Sequence, residues 1–206
     1  MDAARPAGII LAGGRSRRLG RDKARLLLGR RTMLEHVRAA LGTVCSPLLV
    51  VGRAPATAVD RRITWVADRR PGWGPLAGLE AGLAEAPAGW AVVAACDQPF
   101  IRPALLELLW SAARDTAAGA VIPLLGGRPQ PFPALYRTSL APVVSRLLAS
   151  GPAPVQALFD RVATLCVGEE RVRAADLALA SFYNVNTPEA YRRALALVSA
   201  GEGMPV

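Results

Sequence analysis

The sequence predicts an α/β protein in which a mostly parallel central sheet is covered by helices on both faces. Three observations lead to this fold class. Short apolar runs alternate with helical patterns along most of the 206 residues. The first run, AGIILA (7–12), is β-branched and flanked by glycines, as in a buried strand. Neither a repeat nor a long linker divides the chain, so one domain spanning residues 1–206 is expected.

The predicted elements follow one another in a regular order. Strands are expected at 7–12, 46–52, 62–68, 89–97, 119–125 and 162–168. Helices are expected at about 32–41, 74–86, 102–114, about 138–149, 153–160 and from Pro188 to about Ser199. Segment QPFPALYR (130–137) is extended, and its two prolines restrict it to a sheet edge or an irregular loop, because proline donates no hydrogen bond to a sheet ladder.

The helices are predicted from the spacing of their apolar side chains. The first places Met33, Val37 and Leu41 on one face. The second has leucines at helical spacing and Pro75 in its first turn, where a missing N–H is tolerated. The third, RPALLELLWSAAR, is amphipathic. Apolar stripes of this kind pack a helix against the rest of the protein.

The composition argues against several classes of protein. Three cysteines, widely separated and without a CxxC pair, argue against a disulfide framework and a structural zinc site. They favour a reducing, cytoplasmic environment. The N-terminus does not resemble a signal peptide, and no apolar run is long enough to span a membrane.

The formal net charge of +9 raises the possibility of a nucleic-acid partner, which would bind with a steep salt dependence. The arginines are spread through every segment, however, and no stripe of aromatic and basic residues accompanies them. This distribution indicates a compositional bias, so nucleic-acid binding is not expected. The exceptions to the bias are more informative: Lys23 is the only lysine, and Asn184 and Asn186 are the only asparagines.

The loop after the first strand, LAGGRSRRLGRDK (11–23), combines a glycine pair with a dense group of cations. Gly13 and Gly14 allow the backbone amides to approach a phosphate closely. Arg18 can bind two oxygens at once, whereas the Lys23 ammonium is a compact point charge. The loop therefore fits a polyphosphate, although a solvated basic turn is the alternative. It matches neither the Walker A motif nor GxGxxG.

Two aspartates follow predicted strands, at the sheet edge where α/β proteins bind their ligands. Asp68 ends the third strand, and Asp97 ends the fourth in the motif ACDQPF. A carboxylate held rigidly beside Pro99 suits Mg²⁺, which accepts one or two such groups together with substrate phosphates. The alternative is that Asp97 caps the helix that begins near Arg102.

The motif NVNTPEAY permits two interpretations. Thr187 and Pro188 make a good helix start, and Asn184 or Asn186 could still present an amide oxygen to a metal or ligand. The only histidine, His36, falls in the first predicted helix and is expected on its surface. Hydrolytic triads that need a histidine are therefore disfavoured.

Taken together, five motifs resemble the molybdenum cofactor guanylyltransferases of the MobA type, within the nucleotidyltransferase superfamily. In chain order they are LAGGRSRRLGRDKARLLLGRRTMLEHV, DRRPGWGPLAGLEAGL, ACDQPF, QPFPALY and NVNTPEAY. The resemblance spans essentially the whole chain. The family pattern is close to LAGGxSxRMGxDK, and Leu19 stands where methionine is usual.

The resemblance implies a three-layer, Rossmann-like (GT-A-like) fold and the transfer of GMP from GTP to Mo-molybdopterin, with Mg²⁺ required. The N-terminal part would bind the nucleotide, and the C-terminal part would bind the acceptor. Delivery proteins or molybdoenzyme chaperones are expected as further partners. The resemblance assigns nucleotide contacts to Leu11, Ala12, Gly13, Gly14, Lys23, Asp68 and Asp97, and metal binding to Asp97 and, in place of a second aspartate, Asn186. Catalytic roles are expected for Arg18, Lys23 and Asp97, because the reaction needs the negative charge of its phosphates to be neutralised.

Two related activities remain as alternatives. The protein could transfer CMP to molybdopterin, or a nucleotide to another small phosphate. The sequence LAGG, Asp22 before the lysine, and GPLAG after Asp68 favour guanine. An inactive relative that keeps the fold is a third possibility, and it would bind GTP without releasing pyrophosphate.

Overall fold

The computed structural model describes residues 5–13, 23–54, 63–87 and 89–199. Within them, eight strands form one sheet in the order β10–β7–β9–β6–β1–β4–β5, with β8 paired to β7. The strands are β1 (Ala7–Leu11), β4 (Leu48–Val51), β5 (Ile63–Val66), β6 (Trp90–Ala95), β7 (Ala120–Leu125), β8 (Arg128–Pro129), β9 (Ala134–Arg137) and β10 (Thr164–Gly168). A separate hairpin consists of β2 (Leu27–Leu28) and β3 (Arg31–Thr32).

The sheet is mostly parallel, as the sequence predicts. Among the described residues, strand β1 is parallel to β4 and to β6, β4 is parallel to β5, and β7 is parallel to β10. The carboxyl ends of β1, β4, β5 and β6 therefore lie at one edge. Gly8 of β1 lies opposite Leu48 and Val92, so the three central strands are in register there.

Helices cover both faces of the sheet because successive strand residues point to opposite sides. The helices are α1 (Met33–Val44), α2 (Pro75–Glu85), α3 (Pro103–Arg114), α4 (Ala141–Leu147), α5 (Gln156–Phe159), α6 (Glu169–Ala175) and α7 (Pro188–Ser199). Ile9 belongs to an apolar core with side chains of α2, α4 and α5. Ile10 belongs to a second core with side chains of α1, α3 and α6. This gives the expected three layers.

A third, smaller core joins the β2–β3 hairpin to α7. Leu28 and Met33 are fully buried there with Val185 and Ala194. The Tyr191 hydroxyl also donates a hydrogen bond to the Leu27 carbonyl, at 2.6 Å. These contacts dock the C-terminal helix beside the segment that begins at Lys23.

All six predicted strands and all six predicted helices are present, with ends that differ by a few residues. The expectation that 130–137 lies at an edge or in a loop is wrong, because β9 lies inside the sheet, antiparallel to both β6 and β7. Both prolines precede β9, so its residues keep the amides that a central strand needs. Helix α6 and the β2–β3 hairpin were not predicted. Over the described residues, none of the helices has the length and apolar character needed to cross a membrane.

Candidate active site at the carboxyl edge of the sheet

Three predicted site residues meet at one point. The Lys23 ammonium lies 3.2 Å from Asp97 Oδ2 and also donates a hydrogen bond to Asn186 Oδ1. Lys23 and Asp97 are mostly buried, with 21% and 17% of their side chains exposed. The Lys23 ammonium thus contacts side-chain oxygens from two distant parts of the chain.

The backbone explains why these residues converge. Asp97 follows β6, and the Cys96 amide just before it donates to the Leu11 carbonyl of β1, at 3.0 Å. The Asp97 carbonyl in turn accepts a hydrogen bond from the Val185 amide, at 2.8 Å. That bond fixes the segment before α7 against the loop after β6, which places Asn186 beside the carboxylate.

The end of β4 supports the start of the glycine loop. The Ala12 amide donates to the Val51 carbonyl, at 2.8 Å. Gly52, at φ +153°, passes so close that a Cβ there would lie 3.1 Å from the Ala12 carbonyl carbon and 3.2 Å from the Gly13 nitrogen. Only glycine is accommodated at position 52 without displacing the loop.

Asp68 lies beside the same loop. Its Oδ1 accepts a hydrogen bond from the Arg70 amide, at 2.9 Å. Its Oδ2 faces Gly13, where an added Cβ would lie 3.6 Å from it. The structure thus brings Leu11, Ala12, Gly13 and Asp68 together, because β1 and β5 end at the same edge of the sheet.

Two predicted site residues lie outside the described part of the chain, and the only histidine lies away from the site, as the sequence predicts. Gly14 and Arg18 fall outside the described residues. His36 is half-buried on α1, with its Nε2 2.8 Å from the Leu28 carbonyl of the hairpin. It therefore contacts backbone rather than the group around Lys23.

Sequence reasoning missed Gln98, which follows Asp97 directly. This side chain is buried, and its Oε1 accepts a hydrogen bond from the Ala95 amide, at 3.2 Å. Its Nε2 donates to the Phe132 carbonyl, at 2.9 Å. Gln98 therefore ties the loop of Asp97 to the segment that leads into β9. A second polar residue directly after Asp97, at the end of an apolar strand, was the available signal.

The oxygen groups around Lys23 are suited to a hard divalent cation. In the portions of the chain that the structure describes, no cluster of three or more His, Cys, Asp or Glu side chains could hold a metal. Asp97 and Asn186 nevertheless direct a carboxylate and an amide oxygen at one positive charge. Such a pair fits Mg²⁺ when substrate phosphates supply the remaining ligands.

A three-layer α/β fold with Gly13 and strand-end carboxylates at the carboxyl edge of its sheet is typical of nucleotide-binding α/β proteins. Residues 8–165 match the family described as the MobA-like NTP transferase domain. The chain belongs to this family of nucleotidyltransferases.

Proteins similar to this chain have related names and match it over nearly its full length. The chain is 33% identical over 202 residues to the molybdenum cofactor guanylyltransferase of Desulfosudis oleivorans, covering 98% of each protein. It is 40% identical over 208 residues to the probable molybdenum cofactor guanylyltransferase of Mycobacterium avium, covering 97% of this chain and 99% of that one. A crystal structure of molybdopterin-guanine dinucleotide biosynthesis protein A from Archaeoglobus fulgidus superposes with a TM-score of 0.82 at 29% identity, covering 94% and 99%. The family resemblance and the fold class predicted from the sequence are confirmed.

Proposed function

We propose that this protein is a molybdenum cofactor guanylyltransferase. It transfers GMP from GTP to the terminal phosphate of Mo-molybdopterin and releases pyrophosphate. The family match and the names of similar proteins support the reaction. The structural observation that carries the proposal is the cluster of Lys23, Asp97 and Asn186 beside the glycine loop.

The nucleotide would lie along the carboxyl ends of β1 and β5. Leu11, Ala12 and Gly13 would line it, with Asp68 at the side of the loop. The proximity of Gly13 to Asp68 supports this position. Gly14 and Arg18 complete the proposed contacts on sequence grounds alone.

We assign the metal site to Asp97 and Asn186, with Mg²⁺ as the ion. When bound, it would neutralise part of the charge on the triphosphate. Lys23 contacts both oxygen ligands in the structure, so its ammonium would have to give way to the ion and turn toward the phosphates. Lys23 would then supply a positive charge beside the phosphates from a mostly buried position, where such a charge acts strongly.

The reaction requires no general base from the protein. An acceptor phosphate oxygen, already anionic near neutral pH, forms a bond to the α-phosphorus of GTP. The bond between that phosphorus and the bridging oxygen to the β-phosphate breaks, and pyrophosphate leaves with the electron pair. The protein's own contribution is to orient the two anions and to offset their repulsion with Lys23 and Arg18. A site without a histidine is consistent with this chemistry.

The acceptor would bind on the C-terminal part of the sheet. Gln98 connects the Asp97 loop to the Phe132 carbonyl, so the segment before β9 is held at a fixed position relative to the proposed metal site. We assign the acceptor surface to this segment, because the strand that follows it is buried inside the sheet.

The assignment is tested with nucleotides labelled at the α-phosphate. Purified protein is incubated with Mo-molybdopterin and each of the four nucleoside triphosphates, with and without Mg²⁺. GTP is expected to be consumed at least about tenfold faster than CTP, the ratio that a few base contacts provide. Faster use of CTP would identify a cytidylyltransferase instead. GTP binding without pyrophosphate release would indicate an inactive relative.

A further inference from the structure

Arg70 is held from several directions in the loop between β5 and α2. Its Nε lies 3.3 Å from Glu80 Oε2, and its Nη1 donates to the Leu148 carbonyl, at 3.1 Å. Its guanidinium also lies over the Trp73 ring, 5.1 Å from the ring centre. The side chain is 30% exposed. An arginine with so many partners has little freedom to move.

Glu80 is an unusual residue at its position. It lies in α2 within a run of eight buried residues, 76–83, and is only 5% exposed. Within the described residues its Oε2 makes no hydrogen bond, and its ionic contact is with Arg70. Burying a carboxylate is costly, and an apolar side chain would avoid that cost. A role beyond packing would explain the charge.

The backbone of Arg70 connects this ion pair to the proposed nucleotide site. The Arg70 amide donates to Asp68 Oδ1, which leaves Asp68 Oδ2 facing Gly13. A shift of Arg70 would therefore turn the Asp68 carboxylate away from the glycine loop. We propose that Glu80 is a positioning residue for nucleotide binding: through Arg70 it fixes Asp68 against Gly13. This inference rests on the proposed function, because Asp68 is taken there as a nucleotide contact.

The chain offers a matched control in a neighbouring ion pair. Arg69 Nη2 lies 2.8 Å from Glu85 Oε1, and this pair joins the same loop to the same helix. Its side chains are 54% and 49% exposed. The pair therefore tests whether any ion pair between the loop and α2 is sufficient, or whether the buried one is required.

The first experiment compares Glu80→Gln with Glu85→Gln. GTP affinity is measured by titration calorimetry, and kcat and KM for GTP are measured with Mo-molybdopterin. Glu80→Gln is expected to weaken GTP binding and to raise the KM for GTP by about tenfold. This is the lower end of the range seen when a residue that orients a metal ligand is lost. Its kcat at saturating GTP should change much less. Glu85→Gln is expected to behave as the wild type. GTP affinity of Glu80→Gln equal to that of the wild type would overturn the inference.

A double-mutant cycle with Asp68→Ala tests the route of the effect. If Glu80 acts through Asp68, Glu80→Gln should cause no further loss of GTP affinity in the Asp68→Ala background. An equal loss in both backgrounds would show that Glu80 acts by another path and would overturn the inference. Wild-type protein that fails to bind GTP would instead contradict the proposed function itself.

If thermal unfolding shows that Glu80→Gln does not fold, Arg70→Lys is tested in its place. This variant keeps a cation near Glu80, but a single ammonium cannot reproduce the contacts of the guanidinium with Glu80, Leu148 and Trp73. GTP affinity should again fall by about tenfold. Unchanged affinity of a folded Arg70→Lys variant would overturn the inference.

Discussion

The ammonium of Lys23 lies 3.2 Å from the Asp97 carboxylate, although the two residues are 74 positions apart in the sequence. Lys23 lies at the end of the basic loop after β1, and Asp97 follows β6, the parallel neighbour of β1 in the sheet. The two residues that the sequence associates most strongly with phosphate and metal therefore share one site.

Because Lys23 is the only lysine, amine labelling reports on this one side chain. An amine-directed reagent can modify only Lys23 and the N-terminal amine. GTP with Mg²⁺ is expected to slow the modification of Lys23 by about tenfold at ten times its Kd, because the triphosphate would cover the ammonium. Peptide mass spectrometry measures both sites, and the N-terminal amine is the internal control. Equal labelling of Lys23 with and without nucleotide would count against its proposed role.

Replacement of Asp97 tests the proposed metal ligand. Asp97→Asn keeps the shape of the side chain and removes its charge, so turnover should fall by roughly 10²-fold or more, as for the loss of one preorganised charged group. Steady-state kinetics at saturating GTP and Mg²⁺ measure the effect. The exposed Asp160 provides the control, and Asp160→Asn should leave turnover unchanged. Near-normal turnover of Asp97→Asn would refute the assignment.

Asn186→Asp should strengthen the binding of the divalent ion. The amide oxygen of Asn186 and the Asp97 carboxylate both contact the Lys23 ammonium. A second carboxylate at position 186 would therefore add negative charge to the proposed metal site. The Mg²⁺ concentration that gives half the maximal rate is expected to fall, whereas Asn186→Ala should raise it. Asn184→Asp, in the same motif but exposed, is the control. An identical Mg²⁺ dependence for all three variants would exclude Asn186 as a ligand.

The cysteines should differ in reactivity. Burial raises the pKa of the Cys45 thiol to about 12, so almost none of it is thiolate at pH 8. Cys166 is exposed on β10. Iodoacetamide is expected to modify Cys166 in the folded protein and to reach Cys45 only after denaturation, as followed by mass spectrometry. Rapid modification of Cys45 without denaturant would show that this part of the core opens readily.

The N-terminus of α1 should contribute a stability that depends on pH. The Thr32 amide donates to the Glu35 carboxylate, at 2.6 Å, while the Glu35 amide donates to the Thr32 hydroxyl. The first of these bonds is the main cause of the lowered pKa of Glu35. A carboxyl with a lowered pKa stabilises the fold above its unfolded pKa, and this contribution is lost as the pH falls through the folded value.

Urea unfolding measures both parts of this prediction. Thr32→Ala is expected to lower the free energy of unfolding by about 1 kcal/mol at pH 7. Glu35→Gln should be destabilising at pH 7, and its effect should begin to fade below about pH 4.3, the ordinary glutamate pKa, and vanish only when the pH is below the lowered pKa of the folded carboxyl. An effect of Glu35→Gln that is independent of pH would contradict this account.

The sequence determined which strands and helices follow one another along the chain, and it determined the chemical nature of the site. Apolar runs such as AGIILA and helical stripes such as that of Met33, Val37 and Leu41 depend on neighbours close in the chain, so they can be read locally. It also placed Asp68 and Asp97 at strand ends, because a carboxylate after an apolar run marks the point where a buried strand reaches solvent.

Tertiary structure decided which groups from distant parts of the chain meet. Such contacts depend on the order of strands in the sheet and on the packing of the layers, which local periodicity does not specify. Strand β9 lies in the middle of the sheet although its prolines suggested an edge, because they fall just before the paired residues. The ion pair of Glu80 with Arg70 joins a helix to a loop. Asn186 reaches Lys23 because the Val185 amide bonds to the Asp97 carbonyl and α7 docks on the hairpin. The local pattern supplied the chemical groups, and the packing of the layers fixed their geometry.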